Sequence, residues 1–96
     1  MGKQELSSVW RNEILRLAAE HGASDVRVFG SIARNEATPQ SDLDLLVKLK
    51  AGRSLLDLVA LKQELEDLLG RQVDVVTEAA LSPYLREQVL REAVSL

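Results

Sequence analysis

The residues best suited to chemistry are two aspartates, Asp42 and Asp44, at the start of a leucine-rich stretch. In an extended strand, residues two apart share a face, so their Cα atoms would lie about 6.6 Å apart. The two carboxylates repel each other there, and a divalent cation would neutralise them. Carboxylate oxygens suit Mg²⁺ or Mn²⁺, and proteins commonly hold Mg²⁺ together with substrate phosphates. The pair predicts metal-dependent phosphoryl chemistry, although a lone pair of this kind is as often a solvated strand face.

A third aspartate, Asp74, lies between Val73 and Val75 in a short β-branched stretch. In a strand, its side chain points away from the face that these two valines share, and so away from the core. If this strand is close to the first pair, three carboxylates meet. Such a cluster holds two metal ions about 3.5–4 Å apart in other enzymes, one activating the attacking oxygen and one stabilising the leaving group. Asp74 is then the expected base or activator.

Upstream of the pair, the dipeptide Gly30-Ser31 is suited to binding phosphate. A glycine allows a triphosphate to approach the backbone, and a helix that begins at Ser31 presents free N–H groups to anionic oxygens. Arg34, one turn further, would offset phosphate charge. Taken alone, Ser31 is more often a helix N-cap, and Arg34 is as often a surface ion-pair partner.

Hydrophobic periodicity predicts the elements that position these residues. Helices are expected at residues 5–20, 31–35, 55–69 and 83–94, and strands at 25–29, 42–49 and 72–77. Ser54 and Gly70 are the expected caps of the third helix. The predicted fold class is α+β, with a small mixed three-stranded sheet covered by helices mainly on one face. The other face is left for chemistry.

Composition limits the possible functions. Ninety-six residues with 46% hydrophobic residues and only three aromatic ones predict a single domain, residues 1–96, with a core of leucine and valine. The net charge of -3 argues against binding long nucleic acids. The lack of cysteine excludes disulfides and thiolate metal sites. Neither a signal peptide nor an apolar run long enough for a membrane span is found, so we expect a cytoplasmic protein.

Together these motifs resemble the nucleotidyltransferases of the DNA polymerase β superfamily, and in particular their minimal members, the MNT proteins. The pattern is Gly30-Ser31, ten intervening residues, Asp42-Leu43-Asp44, and later Val73-Asp74-Val75. The resemblance implies that Asp42, Asp44 and Asp74 bind metal and form the catalytic triad, and that Gly30-Ser31 bind the triphosphate. MNT proteins usually have glycine where Asn35 stands here, and asparagine also tolerates a left-handed turn.

The resemblance also implies a partner and a reaction. Many MNT proteins are antitoxins of HEPN-family toxins, and some transfer AMP from ATP to a tyrosine of that partner. We therefore expect a magnesium-dependent protein adenylyltransferase with two metal ions, ATP as its substrate, and a HEPN toxin bound in a hetero-oligomer. Two alternatives remain open at this point: an antitoxin that neutralises its partner by binding alone, and a nucleotidyltransferase that acts on a small molecule.

Overall fold

Two amphipathic helices supply most of the core side chains that do not come from the sheet. The structure, a computed structural model, describes residues 8–36, 38 and 40–96. Helix α1 (Ser8–Glu20) buries Ile14, Leu17 and Ala18, and helix α2 (Leu55–Leu69) buries Leu58, Leu61, Leu65 and Leu69. The predicted first turn of α1, at residues 5–7, lies outside the described residues. Both helices follow the apolar spacing of the sequence.

The ends of α2 are set by local hydrogen bonds. The Ser54 hydroxyl accepts from the N–H of Leu56 at 3.2 Å, and the Asp57 carboxylate accepts from the N–H of Ser54 at 3.0 Å. Gly70 takes a left-handed conformation with φ 67°, and its N–H donates to the carbonyl of Glu66. These interactions satisfy backbone groups that a helix leaves open at its ends. The predicted caps are confirmed.

The sheet is mixed, as predicted. Its strands are β1 (Ala23–Phe29), β2 (Leu43–Leu49), β3 (Val73–Thr77) and β4 (Val94–Ser95), in the spatial order β3-β2-β1-β4. Strand β2 pairs antiparallel with β1 and parallel with β3, and β1 also pairs antiparallel with β4. Strand β2, which follows directly on the first aspartate, therefore lies inside the sheet.

One face of the sheet carries the core. Leu43, Leu45 and Val47 alternate along β2, are almost completely buried, and join the cluster formed by α1 and α2. Asp44 lies between them in sequence, so it projects from the opposite face. This confirms the α+β class with helices mainly on one face. Across the described ranges, no helix combines the length and hydropathy that a bilayer crossing requires.

The prediction of three strands and of a helix reaching residue 94 was wrong at the C-terminal end. Helix α3 (Pro83–Glu92) begins as predicted, with Ser82 as its N-cap, but Ala93 is extended and the chain leaves the helix there. Val94 and Ser95 then pair with Val28 and Arg27 of β1. The free edge of β1 offers backbone partners that no local pattern reveals. A short 3-10 helix (Glu78–Ala80), also unpredicted, connects β3 to α3.

The predicted short helix at residues 31–35 was also wrong, because the segment forms consecutive turns. The N–H of Arg34 donates to the carbonyl of Gly30 at 3.1 Å, and that of Glu36 to Ser31 at 2.9 Å. Asn35 has φ 61°, the left-handed conformation that asparagine tolerates, and this stops helix growth after one turn. The turn predicted next includes Ala37 and Pro39, which lie outside the described residues.

Candidate functional site

The sheet brings two of the three predicted aspartates face to face. Asp44 of β2 and Asp74 of β3 are direct partners in the parallel register. Partners in neighbouring strands project from the same face, so both side chains lie on the face opposite α1 and α2. Asp44 is half-buried and Asp74 exposed, and Asp42 is exposed immediately before β2 begins. Asp44 and Asp74 thus share one side of the sheet, and Asp42 directly precedes the strand that carries Asp44.

Gly30 lies beside Asp44, because Phe29 at the end of β1 is the antiparallel partner of Asp44. Its φ of 78° is in the left-handed region. A Cβ atom at this position would overlap Oδ2 of Asp44 and lie 3.1 Å from its Cγ. The Gly30-Ser31 motif predicts that this glycine binds triphosphate, and in the structure the Asp44 carboxylate occupies the space that a side chain would need.

The surroundings of Asp44 disfavour its ionised form. Burial, the largest cause, and the carboxylates of Asp74 and Asp42 together raise the pKa of Asp44 to about 6, while the Arg34 guanidinium opposes the shift. Each of these effects except that of Arg34 disfavours the charged carboxylate. A bound cation would reverse the balance and favour ionised Asp44.

The donor chemistry of this face fits magnesium. Asp42, Asp44 and Asp74 offer carboxylate oxygens, which are the ligands that Mg²⁺ and Mn²⁺ prefer. Among residues 8–36, 38 and 40–96, however, no group of three or more potential ligands is already gathered around one point. To hold one common ion, the three carboxylates would therefore have to turn towards one another, and the shared face of Asp44 and Asp74 allows this.

Arg34 and Gly30 are linked by a residue that the sequence analysis missed, Glu92 at the end of α3. The N–H of Gly30 donates to Oε1 of Glu92 at 2.9 Å, and Nη1 of Arg34 donates to both carboxylate oxygens at 3.2 Å. Nε of Arg34 also donates to Glu36 at 2.8 Å. Ser31 lies half-buried next to Gly30. Because Gly30 and Glu92 are 62 positions apart, no local motif signals the contact.

The raised pKa of Asp44 predicts a pH-dependent gain in stability for the Asp44→Asn variant. The folded chain binds this proton more tightly than the unfolded chain, so ionisation lowers stability as the pH rises from about 4 to about 6. In EDTA, the variant should match the wild type near pH 4 and exceed it above pH 6. We expect a gain of about 1 kcal/mol, because solvent screens a half-buried carboxylate.

Urea denaturation at several pH values measures this difference, and Asp67→Asn on the exposed side of α2 controls for the change in net charge. A gain for Asp44→Asn that is equally large at pH 4 would contradict the electrostatic cause. So would a variant that is no more stable than the wild type at pH 7.

The chain is similar to known proteins over most of its length. The sequence pattern of the nucleotidyltransferase domain family matches residues 11–96. A candidate protein adenylyltransferase of Methanocaldococcus jannaschii is 45% identical over 86 residues, which cover 90% of this chain and 92% of the relative. A solved structure described as a candidate minimal nucleotidyltransferase is 59% identical, with a TM-score of 0.82 over 92% of this chain and 90% of its own. A chain in the solved structure of a mutant MntA toxin–antitoxin complex is 26% identical, with a TM-score of 0.73. The match covers 90% of this chain and 70% of that one.

Proposed function

Because the chain belongs to the nucleotidyltransferase domain family, we propose that it transfers AMP from ATP to a tyrosine of a HEPN-family toxin. The transfer would neutralise the toxin, so that the chain acts as the antitoxin of the pair within a hetero-oligomer. A relative with 45% identity is described as a candidate protein adenylyltransferase, and a similar solved structure is a toxin–antitoxin complex. Both support this choice of donor and partner.

The observation that carries the proposal is the register of β2 and β3. It places Asp44 directly opposite Asp74 on the open face of the sheet, with the Gly30-Ser31 turn at the neighbouring strand end. Carboxylates on one side and phosphate-binding donors on the other are the two halves that a nucleotidyl transfer needs. If these carboxylates only formed a solvated strand face, residue 30 would not have to be a glycine to leave space for the Asp44 carboxylate.

The reaction is a displacement at the α-phosphorus of ATP. The tyrosine oxygen of the partner forms a bond to this phosphorus, and the bond from phosphorus to the oxygen that bridges to the β-phosphate breaks. Pyrophosphate leaves with the bonding electrons. The exposed Asp74 is suited to accept the hydroxyl proton, since it is the member of the pair that solvent and an acceptor reach.

The other residues position the donor. Asp42, Asp44 and Asp74 would hold magnesium, with two ions proposed and manganese as a substitute. When bound, magnesium neutralises the charge that develops on the pyrophosphate and activates the attacking oxygen. The N–H of Gly30, the Ser31 hydroxyl and the Arg34 guanidinium would bind the triphosphate oxygens. These donors lie on the β1 side of Asp44 and the proposed proton acceptor lies on the β3 side.

Co-expression with a HEPN-family toxin tests the proposal. Mass spectrometry of the purified partner is expected to show the added mass of AMP on a tyrosine peptide. Asp42→Asn/Asp44→Asn should abolish this adduct, and Asp67→Asn, the matched change on α2, should leave it in place. Omitting magnesium from a reconstituted reaction should also prevent it.

Other outcomes identify the alternatives. A partner that is neutralised without any adduct, equally by wild type and by Asp42→Asn/Asp44→Asn, would show an antitoxin that acts by binding alone. An unmodified and still active partner, together with AMP found on a small molecule, would show that the acceptor class is wrong.

A further inference from the structure

Glu92 places a carboxylate on the groups that the proposed function assigns to phosphate. Its Oε1 accepts from the N–H of Gly30 at 2.9 Å, and Nη1 of Arg34 lies 3.2 Å from each of its oxygens. The Glu92 side chain is only 16% exposed, so the contact is partly shielded from water. A backbone N–H and a guanidinium that converge on two anionic oxygens are a common arrangement for binding phosphate.

We propose that Glu92 occupies the triphosphate-binding donors in the nucleotide-free protein, and that bound nucleotide displaces it from Gly30 and Arg34. This inference rests on the proposed function, because it assumes that those donors receive the triphosphate. Glu92 then sets the affinity for nucleotide: its carboxylate keeps the donors paired while the site is empty and competes with phosphate oxygens for them. A neutral side chain of the same shape would compete less.

The position of Glu92 in the fold makes such displacement feasible. It is the last residue of α3, whose single buried residue is Val89. The following strand β4 pairs with Arg27 and Val28 of β1, and Leu96 after it donates its N–H to the carbonyl of Val26 at 3.1 Å and packs against the core. These contacts hold the backbone at the end of α3. Displacement therefore needs only a rotation of the Glu92 side chain away from Gly30 and Arg34, while the backbone of α3 stays in place.

A second carboxylate on Arg34 provides an internal comparison. Glu36 accepts from Nε of the same guanidinium at 2.8 Å, but its side chain is 64% exposed. Gly30 donates its N–H to Glu92 and not to Glu36. Removing the charge of Glu36 therefore changes the electrostatics around Arg34 without freeing the backbone donor. If nucleotide affinity depends on whether both the Gly30 N–H and the Arg34 guanidinium are occupied, removing the charge of Glu92 changes it more than removing that of Glu36.

Nucleotide binding to a Glu92→Gln variant tests the proposal. Isothermal titration with MgATP is expected to give a Kd about 3- to 10-fold lower than that of the wild type, since a charged partner is replaced by a weaker neutral one. Glu36→Gln should lower the Kd about twofold at most, because an exposed ion pair contributes little. Glu87→Gln, on an exposed part of α3, should leave it unchanged. Inorganic triphosphate should show the same gain with Glu92→Gln, because the effect acts on the phosphates.

An unchanged or higher Kd for Glu92→Gln would overturn the proposal and make Glu92 a residue that orders the donors for phosphate. A gain seen with adenosine but not with inorganic triphosphate would overturn it too. Thermal melting shows whether the variant folds, and if it does not, Glu92→Asp tests the same idea, since its shorter side chain draws the carboxylate back from Gly30. If the wild type binds MgATP and Glu92→Gln leaves the Kd unchanged, only this inference fails. If the wild type binds no nucleotide, the proposed function fails as well.

Discussion

Asp44→Asn is expected to slow AMP transfer at least about 1000-fold while the chain stays folded. Asp44 is the carboxylate that faces Asp74 across β2 and β3 and lies against Gly30. Asparagine keeps the shape of the side chain but loses the charge that would hold a cation. A bound metal contributes several kcal/mol to stabilising the transition state, and each 1.36 kcal/mol changes the rate tenfold. Incorporation of labelled AMP into the partner measures the loss.

The stability of the same variant separates lost chemistry from lost structure. Because ionised Asp44 is unfavourable in the metal-free protein, Asp44→Asn should melt no lower than the wild type at neutral pH. Magnesium should raise the melting temperature of the wild type but not of the variant. Transfer by Asp44→Asn within tenfold of the wild-type rate would show that this carboxylate is not required for the metal.

Gly30→Ala is the second change with a large expected effect: it should slow AMP transfer about 100-fold. The substitution displaces the Asp44 carboxylate, which must be placed to within about 1 Å. The new Cβ would overlap Oδ2 of Asp44, so the carboxylate has to turn away from its position opposite Asp74. The left-handed φ of 78° adds about 1–2 kcal/mol of backbone strain for any residue other than glycine. Urea denaturation and the transfer assay together measure both effects.

Gly70→Ala is the matched control for this variant. Gly70 also has a left-handed conformation, with φ 67°, but a Cβ there meets nothing within 4 Å. It should therefore lose stability through backbone strain alone and keep its transfer rate. The overlap in Gly30→Ala should also disappear in an Asp44→Ala background, so that the double variant is more stable than the sum of the single changes predicts. Additive losses in this cycle would contradict a collision between Gly30 and Asp44.

Local sequence patterns were sufficient to predict the elements whose ends are capped by residues a few positions away. Helix α2 is the best example, since Ser54 and Gly70 cap it through contacts a few positions apart. Patterns failed where a distant partner decides the conformation. Val94 continued a helical pattern but lies in a strand, because the free edge of β1 accepts its backbone. At residues 31–35 a short helix was predicted, but the segment forms consecutive turns that end at the left-handed Asn35.

The candidate site divides in the same way. Residue type and spacing were enough to single out Gly30, Asp42, Asp44 and Asp74. Their alternation also predicted correctly that Asp44 and Asp74 point away from the core. It did not predict that β2 and β3 are parallel neighbours, or that Asp44 and Asp74 are direct partners. Strand order depends on how the helices pack across the sheet, and a single sequence does not state it.

By itself, the sequence determined which side chains are available for chemistry, which face of each strand they occupy, and the family whose motifs they match. These properties depend on residue identity and on the repeat of an extended chain. Only the tertiary structure decided that Gly30 makes room for Asp44 and that Glu92 holds Gly30 and Arg34. Both are contacts between segments far apart in the chain, and packing of the whole fold is what brings such segments together.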